Sequence, residues 1–499
     1  MNPKDSFFAK VSVQGKALTY GDVRLKTGHT DFNLDEIHFK SRFSRNVPLM
    51  MPIVSSPMDT VTETKMAIAM AKLGGLGIIH RALSSKDQAS MVGKVKHHLN
   101  AKIDFPICVK NTDTAQSVMN MRQEKGFGFY SFPVLDSSGR LVGIVTKNDF
   151  DFCSDLNRPI SAIMSTGVVS APSKTTIQEA YDTMIMSNKK ILPIVDQGVF
   201  KGIYTFADVK RIITGNSAGY NIDESGNLRV GAAIGVGQDA VLRMEQLSER
   251  KIDVVVVDTA HGDSKAVIDT IIYCKHNYPD IDVVAGNISE AESAKRLISA
   301  GADGLRIGQG PGSICTTRII AGIGCPQVTA VYNCSKAAHD AGIPICADGG
   351  IQYSGDVTIA LGAGADNVML GNMLAGTDEA PGETVMVKGV RYRKYRGMGS
   401  LSAMKDNKSS RERYNQNGKD SYSKLVPEGV EGLVPDRGSV CEVMYQITEG
   451  LRSGMGYVGA KDIKTLQTKA DFYEISGAGL TESHPHHLVF VEGSPNYKS

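Results

Sequence analysis

Asp253-Val254-Val255-Val256-Val257-Asp258 is an unbroken apolar run closed at each end by a carboxylate. A strand with one wet face alternates apolar and polar residues, so an unalternating run reads as a parallel strand buried on both faces. The pattern recurs in Ala232-Ala233-Ile234-Gly235-Val236, Asp282-Val283-Val284-Ala285-Gly286-Asn287 and Gly304-Leu305-Arg306-Ile307-Gly308. It returns in Pro344-Ile345-Cys346-Ala347-Asp348-Gly349-Gly350 and Asn367-Val368-Met369-Leu370-Gly371. Ser289 to Ala300 and Ser335 to Ala341 read as amphipathic helices between runs. Six strand–helix units in succession, with no early switch to hairpins, predict an α/β chain folded as a (β/α)8 TIM barrel. The two missing strands lie upstream, in Pro52-Ile53-Val54-Ser55-Ser56 and Gly75-Leu76-Gly77-Ile78-Ile79-His80, joined by a helical stretch from Glu63 to Leu73. Barrel residues 1–103 and 219–499 are then split by an insertion over 104–218.

The insertion contains an internal repeat, with halves at about 104–158 and 159–218. Phe132-Pro133-Val134-Leu135-Asp136, then Gly143-Ile144-Val145-Thr146 and Asp149, returns as Leu192-Pro193-Ile194-Val195-Asp196, then Gly202-Ile203-Tyr204-Thr205 and Asp208. Helix-like segments precede each copy, Thr114 to Glu124 and Thr176 to Met186. Thr-x-x-Asp is a common helix N-cap signature. Its repetition here suggests a hydroxyl and a carboxylate offered to a ribose.

Composition narrows the function. Lys+Arg 55 against Asp+Glu 53 gives a net charge of +2, which argues against work on nucleic acid or anionic membrane. No stretch of 18 apolar residues and no leader-like start is present, so neither membrane span nor secretion is expected. Eight scattered cysteines without a C-x-x-C predict reduced thiols in a cytoplasmic protein.

In such a barrel the chemistry belongs at the C-terminal strand ends. After the sixth strand, Gly308-Gln309-Gly310-Pro311-Gly312-Ser313-Ile314-Cys315-Thr316-Thr317 leaves backbone groups bare to face a phosphate or cation. Cys315 in that loop is a candidate nucleophile, whereas most other cysteines read as small buried hydrophobes. Asp348-Gly349-Gly350 and Gly371-Asn372, after strands seven and eight, suit a ribose diol with a phosphate nearby; Asp258, after strand four, suits a second ribose. Either aspartate could instead cap the next helix. No G-x-G-x-x-G follows a strand, so a Rossmann site is not supported. His484, His486 and His487 read as structural or exposed rather than as zinc ligands. The polar stretch from about Thr384 to Arg437 reads as a lid, in which Arg413-Tyr414 carries little weight by residue physics alone.

The loop Gly308 to Thr317, together with Ser55-Ser56-Pro57-Met58-Asp59, Tyr395-Arg396-Gly397-Met398-Gly399-Ser400 and Pro427-Glu428-Gly429-Val430-Glu431-Gly432, closely resembles the inosine-5′-monophosphate (IMP) dehydrogenase family. The ending Ser476-Gly477-Ala478-Gly479 with Glu482-Ser483-His484 resembles the family's bacterial-type branch, and the repeat resembles its paired cystathionine-β-synthase (CBS) domains. The resemblance implies oxidation of IMP to xanthosine monophosphate (XMP) with NAD and water, a step of guanine nucleotide synthesis. Cys315 would form the covalent purine intermediate, and Arg413, Tyr414 and Thr317 would serve its hydrolysis once a mobile flap replaces the departed cofactor. IMP contacts would fall on Ser56, Met58, Ser313, Asp348, Gly350, Gly371, Asn372, Tyr395, Gly397, Met398, Gly399 and Glu428. Those for NAD would fall on Asp258, Asn287, Arg306, Gly308 and Gly310. A potassium ion is implied on the carbonyls of Gly310, Gly312 and Cys315, completed by Glu482, Ser483 and His484 of a neighbouring subunit. Thr146, Asp149, Thr205 and Asp208 would bind regulatory purine nucleotides, and the assembly implied is a homotetramer or an octamer. Departures from the family pattern are Gly21 and Arg24 in Gly21-Asp22-Val23-Arg24-Leu25, Asp263 where His is frequent, and Asn415 after Tyr414. The nearest rival is GMP reductase, which takes GMP and NADPH to IMP and ammonia and needs no water-activating Arg-Tyr pair.

Overall fold

The computed structural model describes residues 2–99, 102–103, 106–125, 127–214, 219–416, 422–488, 494 and 496–497. The expected insertion edges at 104 and 218, and part of the expected lid, 417–421, lie outside the described residues. The chain divides into two compact units, Met1–His98 with Gly219–Ser499, and Leu99–Ala218.

In the first unit the apolar runs form β1 (Ile53–Ser55), β2 (Leu76–Ile79), β3 (Gly231–Ile234), β4 (Val254–Asp258), β5 (Asp282–Ile288), β6 (Gly304–Ile307), β7 (Ile345–Asp348) and β8 (Asn367–Leu370). They make a closed barrel in chain order. β8 shuts the ring against β1, Val368 opposite Ile53 and Leu370 opposite Ser55, in parallel. β2 and β3 pair directly, Gly231 with Ile78, although the second unit lies between them in sequence. Val54, Ile78, Val254, Val256, Val284 and Met369 join Phe43 and Leu49 in one buried cluster. Phe43 and Leu49 come from the short hairpin Ser41–Arg42/Pro48–Leu49. Ser44 donates to Asp282 at the start of β5 (2.6 Å), and Arg45 to Asp303 just before β6 (3.3 Å), so this hairpin plugs the N-terminal end. Burial of each large side chain there contributes roughly 1.5–3 kcal/mol. The C-terminal end is left for chemistry.

One expectation needs correction, and a second gains structure. The helix expected at Ser335 to Ala341 runs from Gln327 to Asp340. Its buried stripe of Val328, Val331, Cys334, Ser335 and Ala338 is built partly from small and polar residues, which hides the period in the sequence. The stretch read as a polar lid contains an antiparallel sheet, Thr384–Val387 and Val390–Arg396 with Glu431–Pro435, around helices Leu401–Asp406 and Lys408–Arg413. Lys388 (φ 49°) and Gly389 (φ 78°) form its two-residue turn, the left-handed pair that matches strand twist in a hairpin.

In the second unit the repeat is structural. Phe132–Leu135 pairs with Leu141–Val145 and Ile191–Asp196 with Val199–Thr205, both antiparallel. The register slips at the same place in each, after Val134 opposite Gly143 and after Ile194 opposite Gly202. Each hairpin has its own core, one around Phe132, Val145 and Ile160, the other around Met184, Leu192 and Tyr204. No helix among the described residues is long and apolar enough to cross a membrane.

Candidate active site

A cavity of about 1110 Å³ opens at the C-terminal ends of the barrel strands. Ser56 and Met58 enter it from beyond β1, Asn287 and Arg306 from β5 and β6, and Asp348 and Gly350 from β7. Gly308, Gly310, Gly312, Ser313, Cys315 and Thr317 line it from the loop after β6, and Gly371 and Asn372 from the end of β8. The excursion after β8 adds Tyr395, Gly397, Met398, Gly399, Arg413, Tyr414 and Glu428. Residues far apart in sequence thus meet around one space because eight strands end on one rim.

Cys315 is half-buried, and its thiol donates to the Thr317 hydroxyl at 3.2 Å. Thr317 in turn donates to the Glu428 carboxylate at 2.8 Å. The backbone holds the three in line: Thr316 N–H donates to Glu428 C=O (3.0 Å), Val430 N–H to Ile314 C=O (2.9 Å) and Gly397 N–H to Val430 C=O (3.0 Å). A thiol proton therefore has a hydrogen-bonded route to a carboxylate. Burial pushes the thiols of Cys108 and Cys325 up to about 11 and that of Cys274 to about 12, which suits inert packing.

The second feature is a buried charge network. Asp348 accepts from Arg306 Nε and from Asn287 Nδ2, each at 2.8 Å. Asp258 accepts from Arg306 Nη1 at 2.5 Å and, on its other oxygen, from Arg413 Nη1. Burial alone would raise the Asp258 pKa, but Arg413, Arg306 and Arg81 hold it below the usual carboxylate range. Burial likewise opposes the charge of Arg306, and Asp348 and Asp258 outweigh it. Neither aspartate caps a helix: the caps beyond β4 and β7 are Ser264 and Tyr353.

Glycine has two local reasons here. A Cβ on Gly308, whose φ is 144°, would lie 2.1 Å from the Asp348 carbonyl oxygen, and one on Gly399 would lie 2.5 Å from the Tyr414 ring. Tyr414 packs on that bare backbone, and burial pushes its phenol up to about 12. Tyr395 brings its hydroxyl to Gly371 and to Met58 Sδ (3.8 Å).

Other expected residues lie elsewhere. Glu482 and Ser483 are exposed at the end of helix Gly477–Glu482, and His484 packs on Tyr353 and Tyr497. His486 and His487 are exposed, and among the described residues no His, Cys, Asp or Glu cluster could hold a metal ion. Thr146 and Thr205 each bind the aspartate three residues on, at 2.8 and 2.5 Å, at the starts of helices Lys147–Asp151 and Phe206–Thr214. Asp263, the departure from His, is bound by Arg296 and Ser293 and is driven to about 2 by the Arg296 hydrogen bond. Arg24 donates to the carbonyls of Tyr20 and Val23.

Sequence reasoning missed several groups. Gln309 is buried between Ser289 (2.8 Å) and His261 (3.2 Å). Arg81 lies buried 3.6 Å from Glu412 and 3.7 Å from Asp239. Gln416 clasps Val426 through both its amide atoms, 2.7 and 2.8 Å. Arg437 also lines the cavity. None has a local signature, because each acts through partners distant in sequence.

A family model described as IMP dehydrogenase / GMP reductase domain matches residues 17–486. Inosine-5′-monophosphate dehydrogenase of Aquifex aeolicus is 46% identical over 97% of this chain and 98% of its own length. That of Bacillus subtilis is 42% identical over 98% and 99%. Among solved structures, a cysteine-to-alanine variant of GMP reductase from Trypanosoma brucei, in complex with guanosine 5′-monophosphate, superposes with a TM-score of 0.84. It is 40% identical and covers 95% of this chain and 98% of its own.

Proposed function

The chain belongs to the IMP dehydrogenase / GMP reductase family, and we propose that it is an NAD-dependent IMP dehydrogenase whose cavity performs two reactions in turn. Cys315 adds to C2 of the IMP purine, its thiol proton passing through Thr317 toward Glu428. Asp258, Asn287, Arg306, Gly308 and Gly310 would hold NAD, which when bound supplies an acceptor for the hydride lost from C2. The residues fit such a group: the Asn287 side-chain oxygen is buried with no hydrogen-bond partner, ready for a ligand donor. With the hydride gone, the C2–sulfur bond is hydrolysed: water oxygen bonds to C2, the thiolate leaves, and XMP is released.

One observation carries this order of events. Arg413 is seated on Asp258, the carboxylate assigned to the cofactor. Cofactor and Arg413 then compete for one anion, so Arg413 enters only after the cofactor has gone. In this reading helix Lys408–Arg413 belongs to a flap, and Arg413 and Tyr414 orient the attacking water. Glu428 has by then released the thiol's proton to solvent; with Thr317 it takes a proton from the water and returns it to the departing Cys315 thiolate. A guanidinium is ordinarily a donor, so a carboxylate within one hydroxyl of the sulfur is the natural proton sink.

IMP would lie against Ser56, Met58, Ser313, Asp348, Gly350, Gly371 and Asn372, under Tyr395, Gly397, Met398, Gly399 and Glu428. Potassium would rest on the carbonyls of Gly310, Gly312 and Cys315; all-oxygen donors suit such a hard ion. Glu482, Ser483 and His484 would complete its shell from the next subunit of a tetramer or octamer. The hairpin repeat of 99–218 would act as a CBS pair, taking purine nucleotides near Thr146, Asp149, Thr205 and Asp208.

GMP reductase is the second reading, favoured by the likeness to the trypanosomal structure. A paired absorbance assay in potassium buffer separates the two. NADH appearing with IMP and NAD, and NADPH unchanged with GMP, supports the dehydrogenase. NADPH consumed with GMP alone makes the chain a reductase.

A further inference from the structure

The cavity holds a cation that this mechanism leaves idle. Arg437 lines it beside the end of β8, its stem packed on Gly376, where an added Cβ would meet Arg437 Cγ at 3.1 Å. Arg437 N–H donates to the Gly376 carbonyl at 2.8 Å, which fixes the root of the side chain. The guanidinium itself is poorly satisfied. Nη1 reaches the Met373 carbonyl at 3.4 Å, Nη2 the Asn372 side-chain oxygen at 3.5 Å, and the buried Nε has no partner. Arg306 and Arg413 are each matched by an aspartate. Arg437 makes no ion pair with any carboxylate among the described residues, and burial lowers its pKa from the ordinary arginine value.

A partly buried guanidinium without a counter-charge is costly, and such groups persist where a ligand supplies the missing anion. Its planar fork suits the oxygens of a phosphate. Its place is telling too, because barrels of this type bind phosphate beyond strands seven and eight.

We propose that Arg437 is the charge partner of the substrate's 5′-phosphate, by which the site selects a nucleotide over the corresponding nucleoside. The proposal rests on the IMP reading above and adds to it the source of phosphate selectivity. Asn372 then has two tasks, facing the substrate and aiming the guanidinium.

The test is steady-state kinetics of R437Q, with inosine as a competitive inhibitor in the same assay. The expected result is a KM for IMP raised at least tenfold, a kcat within about threefold and an inosine inhibition constant within about twofold. A KM within twofold of wild type overturns the proposal. So does an inosine constant that weakens in step with KM, since a purely structural role would move both. Should R437Q fail to fold, R437K carries the test. Replacing the fork by a point charge is expected to raise KM about three- to tenfold at constant inosine affinity, and an unchanged KM overturns the assignment. A wild-type enzyme that does not oxidise IMP would instead remove the functional reading itself, so the two failures are distinguishable.

Discussion

Carboxylates beyond strand ends appear in both units, and they meet opposite fates. In the second unit Asp149 and Asp208 turn back on threonines three residues earlier, and the interaction closes within one helical turn. In the barrel Asp258 and Asp348 ignore the helices that follow and are gripped by Arg306, Asn287 and Arg413, brought from other strands and from the excursion after β8. Local satisfaction ties a carboxylate into a cap, worth about 1 kcal/mol, and keeps its partner within one turn. Satisfaction by distant cations makes it a hub, because each partner can be exchanged for a ligand's charge or hydrogen bond.

The contrast can be broken most severely at the sulfur. C315A is expected to abolish turnover and the covalent purine adduct; an adduct detected by intact-protein mass spectrometry in C315A would refute the nucleophile. Next comes R413A, which removes a hub partner and leaves the sulfur and Glu428 intact. Rapid-mixing absorbance should show the NADH burst preserved, with steady-state turnover down about 10²–10⁴-fold. Equal loss of both phases would deny Arg413 its late role.

D258N attacks the hub itself. Leaving Arg306 and Arg413 without their shared anion should cost roughly 3–5 kcal/mol, read from urea midpoints. The Asp258 pKa is lower in the folded chain than in the unfolded one, so its stabilisation is fully present above the unfolded value, about 3.9. It fades as pH falls through the lower folded value, and the gap between wild type and D258N should therefore narrow in acid. A gap independent of pH would show that the carboxylate's charge is not what matters. The smallest effect is expected from T146A and T205A, about 1 kcal/mol each in the second unit with IMP oxidation unchanged in kcat. The regulatory reading expects purine-nucleotide binding to fall far more than stability; binding that survives both substitutions would leave the two threonines as caps alone.

The same distinction governs what was legible. The barrel could be read from Asp253–Asp258 and its sisters because a parallel strand buried on both faces declares itself locally. Cys315 and Asp348 stood out because a glycine-rich strand end is itself a short pattern. Arg413 could not be placed on Asp258 from the chain alone, since 155 residues separate them and no period connects them. Arg437 and Gln309 were silent for the same reason. The hairpin around Lys388-Gly389 was missed because Lys and Arg on its strands outweighed a turn signal that was present.

Ring closure of the barrel through β8 and β1 has a consequence for how the protein is made. On a ribosome, β1 and β2 emerge early; β2 gains its second neighbour once β3 follows, but β1 stays unpaired on one flank until β8 is translated. Among the described residues the 99–218 unit has all its strand partners within its own stretch, so its pairing does not wait for the ring. At about 5–20 residues per second that wait is on the order of tens of seconds. During it the outer flank of β1, with Ile53 and Val54, has no strand beside it, so lesions in β1 should show first as lost yield rather than lost catalysis.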